Sequence, residues 1–325
     1  MTRSLAAAFL VGAIIAPAAL AAQGTPGAPQ GLDELVRWPE DNRRSPARIA
    51  LGARLFFDSI LSADGTASCA GCHRPERAFA GSPAEDSPAK PDLREAPSLL
   101  NRGYATRFFW DGRTNALEEA VLLPISDPAE LDLPLREAVR RLRADPSYRA
   151  AFLAAYGRAP SVATLGAALA AYLRSLRSGG APADRFEAGD TAALSPSARR
   201  GRDLFRGRAG CWVCHGGPLF TDHAFHNTGV SWGSEDTGLH LRTGRAQDRG
   251  RFRTPSLRNV ARTDPYMHDG SIRSLEEVVD FYADGQGANP NLDTELRRPP
   301  RLTAEEREDL VAYLMSLGGA GSPPL

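Results

Sequence analysis

Two copies of the pattern Cys-x-x-Cys-His constrain this 325-residue chain more than any other feature. Residues 69–73 are Cys-Ala-Gly-Cys-His and residues 211–215 are Cys-Trp-Val-Cys-His, so the two copies account for all 4 cysteines. The pattern is the attachment site of a c-type haem, in which two thiols form thioethers and the histidine ligates the iron. A zinc site or a redox disulfide is the weaker interpretation, because neither requires a histidine after each second cysteine.

Two covalently bound haem c groups are therefore the cofactors that the sequence predicts. Four cysteines are too few for a disulfide-stabilised scaffold of this length, which favours haem attachment as their use. The residues that would attach and ligate the haems are Cys69, Cys72, His73, Cys211, Cys214 and His215.

The first 22 residues have the organisation of a secretory signal peptide. Arg3 provides a positive charge, residues 5–20 are apolar, and residues 19–21 have the small-x-small pattern of a cleavage site. A retained lipid or helical anchor is the alternative. No later run approaches 18 apolar residues, so we expect a periplasmic mature chain with no membrane span after cleavage.

The charge of the chain is balanced, with 39 Lys+Arg against 39 Asp+Glu. A protein that binds the nucleic-acid backbone needs a surplus of positive charge, so we expect no nucleic-acid partner. With 42% hydrophobic and 24% charged residues, the chain falls in the range of folded globular proteins rather than disordered ones. Its length is sufficient for about two domains.

The chain contains an internal duplication. Residues 96–124 align with residues 254–282 at a constant offset of 158 without a gap, and ten of the 29 positions are identical. Each copy follows one of the haem motifs. We therefore predict two related haem modules, an N-terminal one over residues 23–180 and a C-terminal one over residues 181–325.

The two halves differ at positions that would face the haem iron. Tyr282 of the second half is aligned with Pro124, and His268 is aligned with Trp110. A tyrosine phenol is an accepted haem ligand, whereas proline has no donor atom. We therefore expect Tyr282 to be the second axial ligand of the second haem, which leaves the first haem five-coordinate and reactive. His268 is the alternative ligand.

The secondary structure is expected to be mostly α-helical. Apolar residues recur at three- and four-residue spacing over Leu135–Ala144, Pro146–Tyr156 and residues 162–176. N-cap residues followed by proline, or by an acidic residue three positions later, indicate helix starts at Asp145, Ser195, Ser274 and Thr303. Residues 81–97, rich in proline, serine and charge, are interpreted as a surface loop. No alternation typical of a sheet is sustained.

Three further motifs accompany the haem sites: Phe-Trp-Asp-Gly-Arg at 109–113, Pro-Ser-Leu-Arg-Asn-Val at 255–260 and Pro-Tyr-Met-His-Asp-Gly at 265–270. With these motifs the chain resembles the bacterial di-haem cytochrome c peroxidase and MauG family along nearly all of its mature length. The resemblance implies two mostly α-helical, cytochrome c-like domains with a calcium ion between the haems. It also implies a periplasmic enzyme that reduces hydrogen peroxide with electrons from a small c-type cytochrome or a cupredoxin.

The resemblance further implies roles for two catalytic residues. Trp110 would lie between the haems as an electron bridge, and an ordinary core aromatic is the alternative interpretation. Glu130 resembles the distal glutamate that moves the protons of peroxide, because heterolytic cleavage of the O–O bond needs a proton-transfer group. Outside this family context, Glu130 would be interpreted as a solvated surface carboxylate.

Other candidate residues concern calcium and the haem propionates. Thr263 and Pro265 resemble residues whose backbone carbonyls bind the calcium, a hard cation that prefers oxygen ligands. Glu95 replaces the asparagine usual in that site. Arg113 and Arg258 are candidate partners of the haem propionates, because a guanidinium binds a carboxylate bidentately.

The chain departs from the family pattern in ways that bear on function. No histidine lies between His73 and Trp110, so we expect no need for reductive activation. Ala120 replaces a common glutamine, Tyr282 stands at the peroxidases' methionine ligand as in the MauG branch, and Ala209 replaces the surface tryptophan of MauG. A third metal site is less favoured than a structural role for the histidines after the second haem motif, which are His223, His226 and His240.

Three functions from two classes follow. The first is a periplasmic di-haem peroxidase that takes electrons from a small redox protein. The second is a MauG-like oxidase that acts on the side chains of another protein through high-valent iron. The third is a non-catalytic electron carrier, which would gain nothing from an open iron. A second copy of the chain, in a homodimer, is a further candidate partner.

Overall fold

The computed structural model describes residues 29–32, 36–81, 94–230, 233–285, 287 and 289–321, and the predicted signal peptide lies outside these ranges. Within them the chain is mostly helical, as the sequence predicts, and its strands are two-residue segments. No helix in this part of the chain is long and apolar enough to cross a membrane.

The first half of the chain folds around a core of buried apolar side chains. Its helices are α1 (Pro46–Phe57), α2 (Cys69–Cys72), α3 (Leu117–Ala120), α4 (Leu123–Ser126), α5 (Leu135–Ala144), α6 (Pro146–Tyr156) and α7 (Val162–Ser175). Short 3₁₀ turns lie at Glu40–Asn42, Ser59–Leu61, Pro75–Arg77 and Arg102–Tyr104. The core is centred on the fully buried Leu55, Leu142, Phe152 and Leu165.

The second half has its own, smaller core. Its helices are α8 (Pro182–Glu187), α9 (Pro196–Arg206), α10 (His240–Thr243), α11 (Leu275–Asp284) and α12 (Ala304–Met315). Its 3₁₀ turns are Cys211–Val213, Ala246–Asp248, Val260–Arg262 and Thr294–Arg297. Two antiparallel pairs complete the described fold: β1 (Ser178–Gly179) with β4 (Ala320–Gly321), and β2 (Phe225–His226) with β3 (Phe252–Arg253). Phe205, Tyr313 and Leu317 are the most buried members of this core.

A glycine allows one long helix to cross another closely in each half. A Cβ on Gly52 of α1 would lie 2.0 Å from the carbonyl oxygen of Ala168 in α7. A Cβ on Gly201 of α9 would lie 1.8 Å from the carbonyl oxygen of Asp309 in α12. A side chain at either position would overlap the backbone of the other helix. The two glycines begin the similar segments Gly-Ala-Arg-Leu-Phe and Gly-Arg-Asp-Leu-Phe, so the close crossing is part of the duplication.

The backbone conformation repeats at the offset of 158 residues. Asn101 and Asn259 both adopt the left-handed conformation with a φ of 60°, and each precedes a 3₁₀ turn. Other matched pairs with positive φ are Phe109 with Met267 and Gly112 with Gly270. The antiparallel bridge between Phe108 and Thr114 has its counterpart between Tyr266 and Ile272. The aligned segments therefore share one local fold.

The two halves meet at Ser178, in β1. The Asn101 side chain donates to the carbonyl oxygen of Ser178 over 2.9 Å, and the Asn259 side chain donates to the Ser178 hydroxyl over 2.7 Å. The equivalent asparagines of the duplication are thus joined through one residue at the end of the first half.

The predicted helices are confirmed, with α7 ending one residue before its predicted end. Side chains cap the first turn at each predicted start, namely Asp145, Ser195, Ser274 and Thr303. One detail differs before α11, where the Glu277 carboxylate accepts from the N–H of Arg273 instead of that of Ser274. Only half of that predicted capping box therefore forms.

The prediction that residues 81–97 form a surface loop is wrong at its C-terminal end. Residues 82–93 lie outside the described part of the chain, but Glu95 is 5% exposed. The Glu95 N–H donates to the carbonyl oxygen of His268 over 2.7 Å, and Ala96 pairs with Gly81. The polar composition predicts exposure, whereas Glu95 is buried and its backbone is bonded to the second half.

Candidate haem sites

The first haem motif forms one helical turn. α2 begins after Ser68 and brings Cys69 and Cys72 to the same side of the turn. The His73 N–H donates to the carbonyl oxygen of Cys69 over 2.9 Å, so the imidazole follows directly on the thiols. Its Nδ1 donates to the carbonyl of Phe79 over 3.1 Å, which leaves Nε2 as the nitrogen available to iron.

The second motif has equivalent geometry on a 3₁₀ turn. The His215 N–H donates to the carbonyl oxygen of Cys211 over 2.9 Å, and His215 Nδ1 donates to the carbonyl of Phe220 over 2.9 Å. Burial lowers the pKa of both histidines, that of His73 to about 4, although the hydrogen bonds to carbonyls oppose this. Both imidazoles are therefore neutral at pH 7, the form that ligates a metal.

The residues of each half fit a c-type haem. All four cysteines are free thiols. Cys69 and Cys211 pack against the apolar cores of their halves, and burial raises the pKa of both thiols to about 12. Each half thus provides two thiols for thioether bonds, an oriented imidazole and an apolar environment.

Trp110 is buried where the two halves meet. Its indole Nε1 donates to the carbonyl oxygen of Glu95 over 2.8 Å, and its own carbonyl accepts from the N–H of Arg253 over 2.8 Å. The ring meets that of His268 edge-on, with centroids 6.4 Å apart, and His268 stacks on Phe252 with centroids 3.5 Å apart. The bond to Glu95 therefore orients the indole, and the backbone of Trp110 is bonded to the second half.

Glu130 and Arg113 lie together near the first haem motif. Glu130 Oε1 is 4.0 Å from Arg113 Nη2, and the Arg113 guanidinium lies 3.7 Å from the centroid of the Phe109 ring. The charge of Glu130 raises the pKa of the Cys69 thiol, after the larger effects of burial and of Cys72. The Glu130 side chain is 36% exposed, so its carboxylate is accessible to solvent while lying near the first motif.

Tyr282 lies beside the second haem motif. Burial raises the pKa of its phenol to about 12, a hydrogen bond with the Thr228 side chain opposes this, and the Cys214 and Cys211 thiols raise it further. The phenol therefore lies within electrostatic range of both haem-attaching thiols. The aligned Pro124 lies within α4 of the first half. His268, the alternative ligand, packs against the rings of Trp110 and Phe252.

Glu95, Pro265 and Gly270 are in contact. A Cβ on Gly270 would lie 2.9 Å from Glu95 Oε2 and 3.3 Å from Pro265 Cγ. Thr263 follows the turn Val260–Arg262, and its hydroxyl donates to the carbonyl oxygen of Val260 over 3.1 Å. The buried Glu95 carboxylate is an oxygen donor of the kind that calcium prefers. Glu95 thus fits the ion, and calcium binding with the carbonyls of Thr263 and Pro265 stays a prediction.

Arg258 has a protein partner of its own. Its Nη1 and Nη2 donate to the Asp184 carboxylate over 2.8 and 2.9 Å, and both side chains are buried. Further bonds lead from Arg258 to the carbonyls of Pro218 and Gly31, each over 2.7 Å. The predicted propionate role does not fit a guanidinium already paired in this way. Asp184 lies 74 residues away in the sequence, so no local pattern predicts the pair.

Asp111 is a functional candidate that the sequence indicated only as part of the motif at 109–113. It is fully buried and accepts from Arg242 Nη2 over 2.8 Å and from Arg94 Nη1 over 3.1 Å. Arg94 also binds the Asp236 carboxylate through two bonds of 2.7 Å. Burial alone raises the pKa of Asp111, but the bond from Arg242 and the charges of Arg94 and Arg113 bring it below its usual value. These ion pairs connect Asp111, which follows Trp110, to the second half.

The histidines after the second motif do not assemble into one site within the described residues. His226 lies between two carboxylates, Asp293 at Nδ1 and Asp222 at Nε2, the latter 2.9 Å away. His240 Nδ1 donates to the carbonyl of Arg245 over 2.9 Å. The ligand atoms of His226, Asp222 and the haem-attaching Cys214 lie within 4.8 Å of one another, so this group belongs to the second haem site.

Two duplicated helical modules, each with its own attachment motif and oriented histidine, define a c-type di-haem protein. A profile described as di-haem cytochrome c peroxidase matches residues 46–192, and a cytochrome c profile matches residues 198–318. Each match contains one of the two haem attachment motifs. The fold class predicted from the sequence is confirmed.

Curated relatives and a solved structure agree with these profiles. The chain is 39% identical over 289 residues to the methylamine utilization protein MauG of Methylorubrum extorquens, which spans 87% of this chain and 82% of that protein. It is 35% identical to the cytochrome-c peroxidase IdrP1 of Denitromonas iodatirespirans, over 97% of this chain and 93% of that protein. The crystal structure of a MauG-like protein associated with microbial copper homeostasis matches with a TM-score of 0.80 and 33% identity, covering 91% of this chain and 95% of that one.

The chain therefore belongs to the di-haem cytochrome c peroxidase and MauG family. It is an oxidoreductase with two c-type haems, as the sequence predicts.

Proposed function

We propose that the protein is a periplasmic di-haem peroxidase that reduces hydrogen peroxide to water with electrons from a small c-type cytochrome or a cupredoxin. The observation that carries the proposal is the asymmetry of the halves. Tyr282 lies against the second haem motif, whereas its counterpart Pro124 has no donor atom. The first haem site is thus open to a small oxidant, and the second stores and passes electrons.

The first half supplies the proton chemistry. When bound, haem iron supplies the redox chemistry of O–O cleavage. His73 would hold that haem through Nε2, because its Nδ1 donates to the carbonyl of Phe79. Glu130 transfers a proton between the two oxygen atoms of peroxide as a general acid–base. The Arg113 guanidinium lies 4.0 Å from this carboxylate. Each turnover consumes one peroxide, two electrons and two protons and yields two waters.

Trp110 is proposed to relay the electrons between the halves. Its indole N–H donates to the carbonyl oxygen of Glu95 in the first half, and its backbone carbonyl accepts from the N–H of Arg253 in the second half. A fixed ring suits electron transfer because the distance between donor and acceptor does not fluctuate.

Calcium is proposed to bind at Glu95, with the backbone carbonyls of Thr263 and Pro265 as further ligands. Support comes from the buried Glu95 carboxylate, which faces Gly270 in a space that a side chain would fill. Since Glu95 also accepts the indole N–H of Trp110 through its carbonyl, the ion would stiffen the electron bridge.

A MauG-like oxidase acting on protein side chains is the second candidate function. The observation in its favour is Tyr282, a phenol in place of a methionine, because anionic ligation lowers the reduction potential of a haem. Ala209 stands against it, since a surface tryptophan is what a MauG uses to reach its protein substrate.

The test begins with the spectrum of the ferric holoprotein. We expect a mixture of high-spin and low-spin haem, whereas two low-spin haems would support a non-catalytic carrier. Peroxide consumption with a reduced c-type cytochrome as donor is then measured at steady state. Turnover supports the peroxidase. High-spin haem without turnover would refute it in favour of the protein oxidase.

A further inference from the structure

Two buried arginines of the described chain have no carboxylate partner among the described residues. Arg253 is 1% exposed and Arg102 is 8% exposed. Arg253 donates to the carbonyls of Phe109 and Thr254 over 3.2 and 2.9 Å, and Arg102 donates to the carbonyl of Arg107 over 3.0 Å. All of these acceptors are neutral, so both positive charges are buried without compensation from this part of the chain.

Other buried arginines of the described chain have the carboxylate partner that Arg102 and Arg253 lack. Arg258 binds Asp184 bidentately, and Arg174, on α7, binds Glu118 over 2.5 and 3.0 Å. Buried charges in proteins are normally paired in this way, because removal from water without a counter-charge is costly. An anion that does not belong to the described chain is therefore expected at Arg102 and Arg253.

The two guanidiniums lie in one place, between the haem modules. Both donate to the segment formed by residues 107–109, just before Trp110. Burial, and then the charge of Arg253, holds the pKa of Arg102 well below its usual value. Both arginines also lower the pKa of His223, after the larger effect of burial. The first half supplies Arg102, and the second half supplies Arg253 and His223.

We propose that Arg102 and Arg253 bind propionate carboxylates of the haems at the junction of the two modules. Each haem c carries two propionates and arrives after the chain is made, which explains why the counter-charge is absent from the described residues. A guanidinium matches a carboxylate with two parallel hydrogen bonds. This assignment replaces Arg258, which is paired with Asp184, and Arg113, which lies beside Glu130. It depends on the two haems and not on the proposed peroxidase activity.

A consequence follows for the reduction potentials. A buried positive charge beside a haem stabilises the added electron, and the effect is stronger in the interior than in water. Arg102 and Arg253 therefore raise the potential of the haem that each contacts, next to the proposed electron bridge.

The first experiment compares holoproteins in which Arg102→Gln or Arg253→Gln removes one charge. Haem content per chain, both reduction potentials by spectroelectrochemical titration and the propionate bending band in resonance Raman spectra are measured. We expect a lower potential for at least one haem and a shifted propionate band in each variant. Arg102→Lys and Arg253→Lys should recover part of the potential. The control Arg140→Gln removes an exposed charge that pairs with Glu137 and should change neither quantity.

Unchanged potentials and propionate bands in both glutamine variants with two haems each would overturn the assignment. If these variants do not mature, a crystal structure of the unaltered holoprotein decides. Propionate oxygens about 2.7–2.9 Å from guanidinium nitrogens of both arginines support the proposal. Propionates directed into solvent, away from both arginines, refute it. None of these measurements uses peroxide, so failure of the proposed function would be distinguishable from failure of this assignment.

Discussion

At the scale of single residues, proton transfer in the proposed reaction depends on one carboxylate. Glu130 combines access to solvent with a place near the first haem motif, and Arg113 lies 4.0 Å from it. An amide has the same shape but cannot accept and return a proton. Replacing Glu130 by glutamine therefore tests its role in proton transfer without changing its packing.

Glu130→Gln should slow peroxide turnover by about 10²–10⁴, the usual size of a general acid–base contribution. Steady-state peroxide consumption measures the change, and the ferric haem spectra should be unaltered because Glu130 is not proposed as a ligand. Glu308→Gln, which removes an exposed carboxylate on α12, is the control and should leave turnover unchanged. Wild-type turnover in Glu130→Gln would remove this residue from the mechanism.

Tyr282→Phe should alter the spectrum of the second haem and leave that of the first nearly unchanged. The reason is that phenylalanine keeps the ring but lacks the oxygen that would ligate the iron. Absorption and electron paramagnetic resonance spectra of the ferric protein measure the effect. Thr228→Val keeps the ligand, removes the hydrogen bond to its phenol, and should produce a smaller shift. If Tyr282→Phe left the second haem's spectrum unmoved, Tyr282 would not be its ligand.

At the scale of helices, each half depends on one close crossing of two helices. The crossings of α1 with α7 and of α9 with α12 are possible because Gly52 and Gly201 have no Cβ. The Asp309 side chain strengthens the second crossing, since it accepts from Arg200 over 2.7 Å and from the Ser197 hydroxyl over 2.6 Å, both on α9. Shape and charge thus hold the same two helices together.

Gly201→Ala should lower the free energy of unfolding by about 1–3 kcal/mol, the usual cost of overpacking a well-packed contact. The new Cβ would lie 1.8 Å from the carbonyl oxygen of Asp309, so the helices must move apart. Urea unfolding of the holoprotein measures the loss. Gly318→Ala is the matched control, because its nearest new contact would be at 3.8 Å. Equal stability of the two variants would contradict a close crossing at Gly201.

At the scale of the whole molecule, charged pairs connect the two halves around Trp110. Asp111 of the first half binds Arg242 of the second, and Arg94 of the first half binds Asp236 of the second. Asp111 is fully buried, whereas the side chain of its partner Arg242 is 44% exposed. These ion pairs therefore fix how the two halves are oriented around Trp110.

Asp111→Asn should destabilise the holoprotein at pH 7 by about 2–3 kcal/mol, since buried hydrogen bonds to a charged group are lost. The native pKa of Asp111 is below its usual value of 3.8, so its contribution is fully present above that value. It is lost as the pH falls through the lower native pKa. Urea unfolding between pH 3 and 7 should show the difference from wild type shrinking only below about pH 4. Asp190→Asn, at an exposed site, is the control and should leave the free energy of unfolding at pH 7 nearly unchanged.

The local features of the molecule could be predicted from the sequence. Haem attachment requires two thiols and a histidine within five residues, and helix capping depends on residues three positions apart, so both are visible along the chain. The duplication is visible as well, because aligned positions such as Asn101 and Asn259 keep the same backbone conformation. Local chemistry is enough in each of these cases.

The charged interior could not be predicted in this way. Arg258 and Asp184 meet across 74 residues, and Glu95, in a polar stretch of sequence, is buried and bonded to the second half. Which of the many arginines are buried, and which of these lack a carboxylate, depends on how distant segments pack. The sequence by itself determined the haem attachment, the helices and the two related modules. Only the tertiary structure decided the partner of each buried charge, because burial is a property of the packed molecule and not of the local chain.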